Sequence, residues 1–178
     1  MTEILVSIAL AALMVPAMEL WARLLHGRIW HGVLFPVHRS HHLPRHGRFE
    51  ANDVLSVTHA PIAIVLVVVG CLLHGVLGAA IRGVGIGMTL FGIAYVVVHD
   101  GLVHGRLPVA GLARFRFFRR VRGAHRVHHR TGGPPYGLFA GPKELARHRG
   151  ARHATAPAAR RAAQRRLAPG PSAPSTSR

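Results

Sequence analysis

The chain has 178 residues, 49% of them hydrophobic, yet its formal net charge is +17. A soluble globular domain seldom combines so much apolar sequence with so much charge, whereas bilayer spans flanked by surface arginines do. The single cysteine, Cys71, excludes a disulfide framework and a cysteine-based metal site.

The first apolar segment, Ile4–Leu25, predicts a retained membrane anchor. No Lys or Arg precedes it and no small-residue cleavage site is evident, which distinguishes it from a secretory signal peptide. At about 1.5 Å per residue, the segment is long enough to cross a hydrocarbon core of about 30 Å. Trp21 and Trp30 suit either the aromatic belt of a membrane interface or packing in a core.

The second apolar stretch, Val54–Val98, is long enough for two crossings. The His-Gly pair at 74–75 interrupts it and predicts a tight turn between them. The later crossing begins near Val76 or as late as Val84.

Two glycines in this stretch, Gly83 and Gly87, have the GxxxG spacing. Small residues at this spacing let bilayer helices approach closely. A bent, glycine-rich span without a specific partner explains the same pattern equally well.

Basic segments follow the apolar ones. Residues 26–53 and 99–130 are basic and rich in histidine, and residues 132–145 have the composition of a Gly/Pro loop. Residues 147–178 are rich in Ala, Arg, Pro and Ser without periodicity, which predicts disorder. We therefore expect a membrane-embedded domain over residues 1–146 and a basic tail over 147–178.

Because the arginines follow the first and last spans, the positive-inside rule places the histidine segments and the tail in the cytoplasm.

Ten of the fifteen histidines form two copies of one pattern, each copy following an apolar segment. Each copy consists of H-x4-H and then H-x2-H-H. Residues i, i+3 and i+4 of a helix share a face, so each H-x2-H-H cluster can converge on one centre. Residues five apart differ by about 140° on an α-helix, so each H-x4-H pair flanks a centre or serves two adjacent ones. The ten are His26, His31, His38, His41, His42, His99, His104, His125, His128 and His129.

Ten imidazoles exceed the needs of one metal ion and predict two metals with about five nitrogens each. Imidazole binds Fe, Zn, Cu and Ni, so ligand type does not identify the metal. A ferritin-like site requires carboxylates that this chain lacks, and a structural zinc site uses four ligands. Two nitrogen-held irons beside a bilayer favour O2 activation on a lipid-like substrate. The predicted fold is all-α: an integral membrane helical bundle with a cytoplasmic, histidine-rich di-metal cap.

The other five histidines are interpreted as polar flanks of the spans or of the tail. No side chain beyond the metal ligands is predicted to act as a catalytic acid, base or nucleophile. The five are His46, His59, His74, His148 and His153.

The sequence around the ten histidines resembles β-carotene 3-hydroxylases, members of the fatty acid hydroxylase/sterol desaturase superfamily. The resemblance covers about residues 18–145 and leaves out the basic tail. It rests on Met18–Ala22 and on the runs HRSHHLPRHGRFEANDV (38–54), FGIAYVVVHDGLVHGRLPV (91–109), AHRVHH (124–129) and PPYGLFAGPKEL (134–145).

This resemblance implies a non-haem di-iron monooxygenase. Such an enzyme uses O2 and electrons from reduced ferredoxin to hydroxylate carbon 3 of carotenoid β-ionone rings, converting β-carotene to β-cryptoxanthin and zeaxanthin. Carried over position by position, the ten patterned histidines are the iron ligands. Glu19, Asp53 and Asp100 lie in matching motifs without an assigned role, although Asp100 is placed either to orient His99 or to be a solvated helix-end carboxylate.

Other functions stay open on the sequence alone. A related hydroxylase or desaturase acting on a fatty acid or sterol has the same histidines and a different substrate channel. A non-enzymatic membrane metal-binding protein is a second alternative, although its ligands are expected within the spans. We expect a small acidic electron carrier to dock on the arginine-rich face. The nine Lys and Arg between Lys143 and Arg178 could bind anionic lipids or nucleic acid, but a solvated, unselective tail is favoured and no nucleic-acid partner is expected.

Overall fold

The computed structural model describes residues 1–44, 47 and 49–151. Within these residues every regular element is helical, which confirms the all-α prediction. Residues 141–151 form a further helix, α7. The preceding α-helices are α1 (Thr2–Leu24), α2 (Phe35–His42), α3 (Asp53–Val57), α4 (His59–Leu72), α5 (Gly75–Tyr95) and α6 (Arg116–Thr131).

Two of the long helices end in π-helical turns. α1 continues as the π-helix Leu25–Trp30, and α5 continues as the π-helix Val96–Val103. A π-helix closes its hydrogen bonds from residue i to residue i+5 and is rare outside functional sites. Both turns coincide with the H-x4-H pairs of the sequence.

Three helical segments are long and apolar enough to cross a membrane: Thr2–Trp30, Asp53–Leu72 and Gly75–Val103. Their outer surfaces expose many Ile, Leu and Val side chains. Such a surface promotes aggregation in water but is compatible with lipid, so the structure indicates a membrane protein. The tight turn at 74–75 is confirmed, and the last span begins at Gly75, near the earlier of the two predicted starts.

The helix α5 lies between α1 and α4 and packs against both. A Cβ atom on Gly83 would lie 2.6 Å from the Ser7 carbonyl oxygen of α1, and one on Gly87 would lie 2.6 Å from the Ala11 carbonyl oxygen. The glycine spacing therefore permits close packing of α1 on α5, which favours the first of its two interpretations.

The helix α7 extends past the predicted domain boundary at residue 146. Residues 152–178 lie outside the described residues. The boundary itself and the disorder of the tail stay predictions.

Replacing Gly83 with Ala is expected to destabilise the bundle, because the added methyl group meets the α1 backbone, which cannot rotate away. The expected loss is about 1–3 kcal/mol of unfolding free energy, measured by denaturant titration in detergent. Gly92 of the same helix has nothing within 4 Å of its Cβ position, so Gly92→Ala is the matched control. Equal stability of the two variants would contradict the proposed packing.

Candidate metal centre

The π-helical turns bring the two histidines of each H-x4-H pair to the same side of the chain. The His31 amide donates to the His26 carbonyl at 3.0 Å, and the His104 amide donates to the His99 carbonyl at 3.1 Å. These are i to i+5 hydrogen bonds, so each pair is stacked by one π turn rather than splayed as on an α-helix. The imidazole centroids are 5.2 Å apart for His26 and His31 and 4.7 Å apart for His99 and His104.

The histidines gather into two groups whose ligand-capable atoms lie within 4.8 Å of one another. The second group also has His129 at its edge, whose Nε2 lies 3.0 Å from Nε2 of His125. The structure thus brings all ten predicted histidines together. The first group comprises His26, His31, His38, His42 and His128, and the second comprises His41, His99, His104 and His125.

The H-x2-H-H clusters divide between the two groups, which corrects the expectation that each cluster converges on one centre. In α2, the i and i+4 residues enter the first group, whereas the i+3 residue His41 enters the second. In α6, His125 belongs to the second group with His129 beside it, and His128 enters the first. The i+3 side chain of each helix points away from the mean direction of the other two, so His41 of α2 lies in the second group and His128 of α6 lies in the first.

In the first group, oxygen acceptors hold the Nδ1 protons. Nδ1 of His26 donates to the Tyr136 carbonyl at 2.8 Å, and Nδ1 of His38 donates to Oδ1 of Asn52 at 2.7 Å. Nδ1 of His128 donates to the Gly133 carbonyl at 2.8 Å. Since a neutral imidazole carries one proton, each Nε2 atom presents a lone pair.

In the second group, carboxylates take the same role. Nδ1 of His41 donates to Oε2 of Glu50 at 3.1 Å, and Nδ1 of His99 donates to Oδ1 of Asp100 at 2.8 Å. The expectation that Asp100 orients His99 fits this geometry. Ligand histidines of metal sites characteristically donate their second N–H to such an acceptor.

Facing lone pairs make both groups suitable for a cation. The Nε2 atoms of His26 and His38 lie 3.1 Å apart, and those of His41 and His99 lie 3.2 Å apart. Each of these four imidazoles carries its proton on Nδ1, so no proton lies between the facing Nε2 atoms. Metal–nitrogen bonds of about 2.1 Å at tetrahedral or octahedral angles separate two ligand nitrogens by about 3.0–3.4 Å. The donor set therefore fits one metal ion in each group.

The buried Nε2 atom of His104 supports the same conclusion. It has no hydrogen-bond partner among the described residues, although it belongs to the second group. A buried polar atom left without a partner is costly unless a ligand completes its environment.

Burial keeps these imidazoles neutral. Loss of hydration lowers the pKa of His38 to about 4, of His128 and His129 to about 3, and of His104 to about 2. The pKa values of His41 and His125 are lowered for the same reason, and neighbouring imidazoles reinforce the shift. Because only neutral imidazole binds a metal, these six histidines are competent ligands at neutral pH.

Two acidic residues and an arginine hold the second group in place. Arg106 pairs with Oε1 of Glu50 at 2.9 Å and with Oδ1 of Asp53 at 2.6 Å. Glu50 in turn accepts from His41. Asp53 had no role assigned from the sequence. It fixes Arg106, and Arg106 in turn fixes Glu50, the acceptor of His41.

Glu19 holds the loop that closes the first group. Its Oε1 accepts from the Ala140 amide at 2.8 Å, while Glu144 accepts from the Gly137 amide at 3.2 Å and pairs with Arg23. The loop between α6 and α7 supplies the carbonyl acceptors of His26 and His128. Glu19 therefore positions that loop, although sequence motifs gave it no role.

Three histidines interpreted as polar flanks, His59, His74 and His148, lie outside both groups. The other two, His46 and His153, lie outside the described residues. Sequence reasoning missed Asn52 and Glu50 as acceptors. Their place in the 38–54 run, directly after a histidine cluster and in a chain with only six acidic residues, was the available signal.

Residues 11–142 match the fatty acid hydroxylase family. That match covers more than half of the chain and includes all ten histidines. The chain belongs to the fatty acid hydroxylase family.

Several similar proteins are β-carotene hydroxylases. The chain is 46% identical to the chloroplastic β-carotene 3-hydroxylase of Gentiana lutea over 82% of this chain and 46% of that protein. It is 49% identical to a chloroplastic β-carotene 3-hydroxylase of Arabidopsis thaliana over 72% of this chain and 43% of that protein. It is 43% identical to the β-carotene hydroxylase of Pseudescherichia vulneris over 72% of this chain and 71% of that protein. The chain thus spans about half the length of the plant relatives. No solved structure matches it.

In this member of the fatty acid hydroxylase family, an apolar groove leads to the histidines. The groove has a volume of about 440 Å³ and runs between α1, α4 and α5. At its inner end, Trp30 packs on His26 of the first group, with ring centroids 5.7 Å apart. Tyr95 stacks on His99 of the second group at 4.7 Å. One aromatic ring of the groove lining therefore contacts each histidine group: Trp30 contacts the first group and Tyr95 contacts the second.

Removing the carboxylate of Asp100 is expected to weaken the second metal site. The His99 ring loses the acceptor that fixes its orientation, so Asp100→Ala should lower metal affinity about 10- to 100-fold. Metal content after dialysis against graded chelator measures this. Asp100→Asn keeps an acceptor oxygen and should retain more of the affinity. Wild-type affinity in the Ala variant would show that Asp100 does not orient the ligand.

Proposed function

We propose that the chain is a carotenoid hydroxylase that inserts one oxygen atom of O2 at carbon 3 of β-ionone rings, converting β-carotene to β-cryptoxanthin and zeaxanthin. The observation that carries this proposal is the pair of neutral histidine groups at the inner end of an apolar groove. Such a groove suits a hydrocarbon substrate, and the histidine groups suit metals that activate oxygen.

The proposed metals are two iron ions held by the ten histidines. When bound, they supply the reduction of O2 and the oxidation of an unactivated C–H bond. The balance of the reaction is one C–H bond, one O2, two electrons and two protons in, and one C–OH bond and one water out. Nitrogen donors suit iron as well as zinc or copper, and a redox-active metal is required by that balance.

The chain's own residues position the metal ligands and the substrate, and they shield the reacting carbon from water. Hydrogen bonds from Nδ1 to oxygen acceptors fix five of the ten histidine rings, so the metals do not have to organise those rings on binding. The apolar groove excludes water from the reacting carbon. Tyr95 and Trp30 place the end of the groove beside both histidine groups, so a substrate ring in the groove lies next to both.

The carotenoid substrate is favoured over a fatty acyl or sterol substrate by the relatives. Three of them, from a gentian, a cress and a bacterium, are named β-carotene hydroxylases. The family as a whole includes fatty acid hydroxylases, so a related lipid hydroxylation is the alternative. The products of the same assay distinguish the two.

The proposed topology has three membrane crossings with the histidine groups at the cytoplasmic ends. The ends of α1 and α5 and the start of α4 lie beside the groove and the histidines, so all three spans have one common functional end. The arginines of α6 lie at this end, which agrees with the positive-inside rule.

The proposed electron donor is reduced ferredoxin, and the proposed docking surface is the outer face of α6. Arg116, Arg119, Arg126 and Arg130 are exposed on this helix, while His125 and His128 are buried on the opposite face. Within the described residues none of these four arginines forms an ion pair with a carboxylate. A helix is about 10–12 Å thick, so an acidic carrier bound there lies about one helix diameter from the histidines. Opposite charge also accelerates such encounters.

Expression in cells that accumulate β-carotene tests the reaction. Hydroxylated pigments should appear on chromatography, and His41→Ala and His128→Ala should each reduce them by at least about 100-fold, because each variant opens one metal site. Membrane insertion and iron content are measured on the same preparations, with His148→Ala of α7 as the matched control.

Three outcomes contradict parts of the proposal. Normal pigment conversion in inserted His128→Ala protein refutes its role as a ligand. Iron-loaded wild-type protein that hydroxylates a fatty acid or sterol but not β-carotene supports the alternative substrate. Iron-loaded protein without any hydroxylation supports a non-enzymatic metal-binding protein.

Charge reversal on α6 tests the docking surface. Arg119→Glu together with Arg126→Glu should slow turnover supported by ferredoxin by about 10-fold or more at low salt and remove its dependence on ionic strength. A small uncharged reductant should support both proteins equally. Ferredoxin-supported rates that do not change with salt in the wild type would exclude electrostatic docking.

A further inference from the structure

The groove is bridged by a single hydrogen bond between two of the helices that line it. α5 packs against α1 and against α4, whereas α1 and α4 face each other across the groove. Nε1–H of Trp21 in α1 donates to Nε2 of His59 in α4 at 2.8 Å. The two rings meet edge to face, with centroids 6.4 Å apart and planes at 75°. We call this contact the Trp21–His59 bridge.

A neighbouring residue prepares His59 for this role. The Thr58 hydroxyl donates to the Leu55 carbonyl at 2.9 Å, so its oxygen is left to accept from Nδ1–H of His59 at 3.1 Å. The proton therefore resides on Nδ1, and Nε2 presents a lone pair to the indole. His59 is an acceptor fixed in advance, not a donor that could turn to either partner.

The groove is too short for a whole carotenoid. Its lining on α5 and the π-helix that continues it extends from Met88 to Val97, which corresponds to about 14 Å of helix. A forty-carbon polyene with two end rings is about as long as the bilayer is thick, so only one ring and the first part of the chain fit. The remainder therefore has to extend out of the groove into lipid, and the Trp21–His59 bridge joins two walls of that groove.

We propose that the Trp21–His59 bridge fixes the width of the groove and thereby determines which end group reaches the histidines and at which carbon it is presented. This inference rests on the proposed function. The bridge ties α1 to α4 where the two helices otherwise have little contact, so the separation of the groove walls depends on it. Trp21 and His59 are positioning residues for the substrate, not catalytic ones.

The location of the bridge in an apolar environment strengthens it. The groove lining is predominantly apolar, so few other polar groups of the groove compete for the indole N–H or for the imidazole. Its loss leaves two polar groups beside lipid without a partner, and the helices then adjust their spacing to satisfy them elsewhere. A wider groove holds a flat ring less firmly and allows more than one carbon to approach the metals.

The test is a double-mutant cycle of Trp21→Phe, His59→Phe and both together, in iron-loaded protein. Each single variant removes the hydrogen bond and keeps an aromatic ring in the groove. We expect each to raise KM for β-carotene about fivefold, the effect of one lost hydrogen bond, and to yield products hydroxylated at more than one carbon. The double variant should be no worse than the poorer single one, because both residues serve one interaction.

Leu20→Ala is the control. Leu20 is next to Trp21 in the chain but faces lipid outside the groove, so this variant should match the wild type in KM and product pattern. Unchanged KM and product pattern in Trp21→Phe, or effects that simply add in the double variant, overturn the inference.

A binding measurement separates this inference from the proposed function. The chain has two tryptophans and both line the groove, so quenching of their fluorescence reports occupancy by β-carotene. If the wild type binds β-carotene without hydroxylating it, the proposed function fails. The bridge is then still judged by whether His59→Phe, which keeps both tryptophans, weakens binding about fivefold. Equal binding by the two proteins rejects the bridge.

Discussion

Facing imidazole lone pairs in a buried volume are the constraint on which the rest of this structure depends. Burial lowers the pKa values of His38 and His41, so no added proton relieves the repulsion between facing Nε2 lone pairs about 3 Å apart. The Nδ1 protons of five histidines are held by backbone, amide or carboxylate oxygens: His26, His38, His41, His99 and His128. Only a cation supplied from outside turns this repulsion into attraction. The loop after α6, the π-helical turns and the inward-facing acids all maintain that arrangement.

The sequence predicts which histidines take part but not how they divide. Helical arithmetic places residues i and i+5 about 140° apart, which leaves the partner of His26 open. The backbone resolves this by closing a π turn between His26 and His31, and the local composition carries no signal for that turn. Similarly, i+3 and i+4 neighbours look equivalent in a sequence. The exchange of His41 and His128 between the groups depends on how α2 and α6 face each other, which is a tertiary property.

The apolar segments predict the three membrane-length helices well, because crossing a bilayer imposes length and composition on one continuous segment. The supporting residues were not predictable in the same way. Glu19 meets the Ala140 amide across 121 positions of sequence, and Asn52 and Glu50 act through histidines that they follow in the chain. A carboxylate in an otherwise apolar segment is expected to have a hydrogen-bond or ion-pair partner, but the sequence does not identify that partner.

The scarcity of acids links the inside of this protein to its surface. Of the six acidic residues, five lie around the histidines: Glu19, Glu50, Asp53, Asp100 and Glu144. Each holds a histidine, an arginine next to the site or the loop that closes it. Because these carboxylates are occupied there, they are not available to the arginines on the outer face of α6. The strong positive charge of that face therefore follows from the way the site is built, and it leaves the helix that carries three of the histidines able to attract an acidic partner.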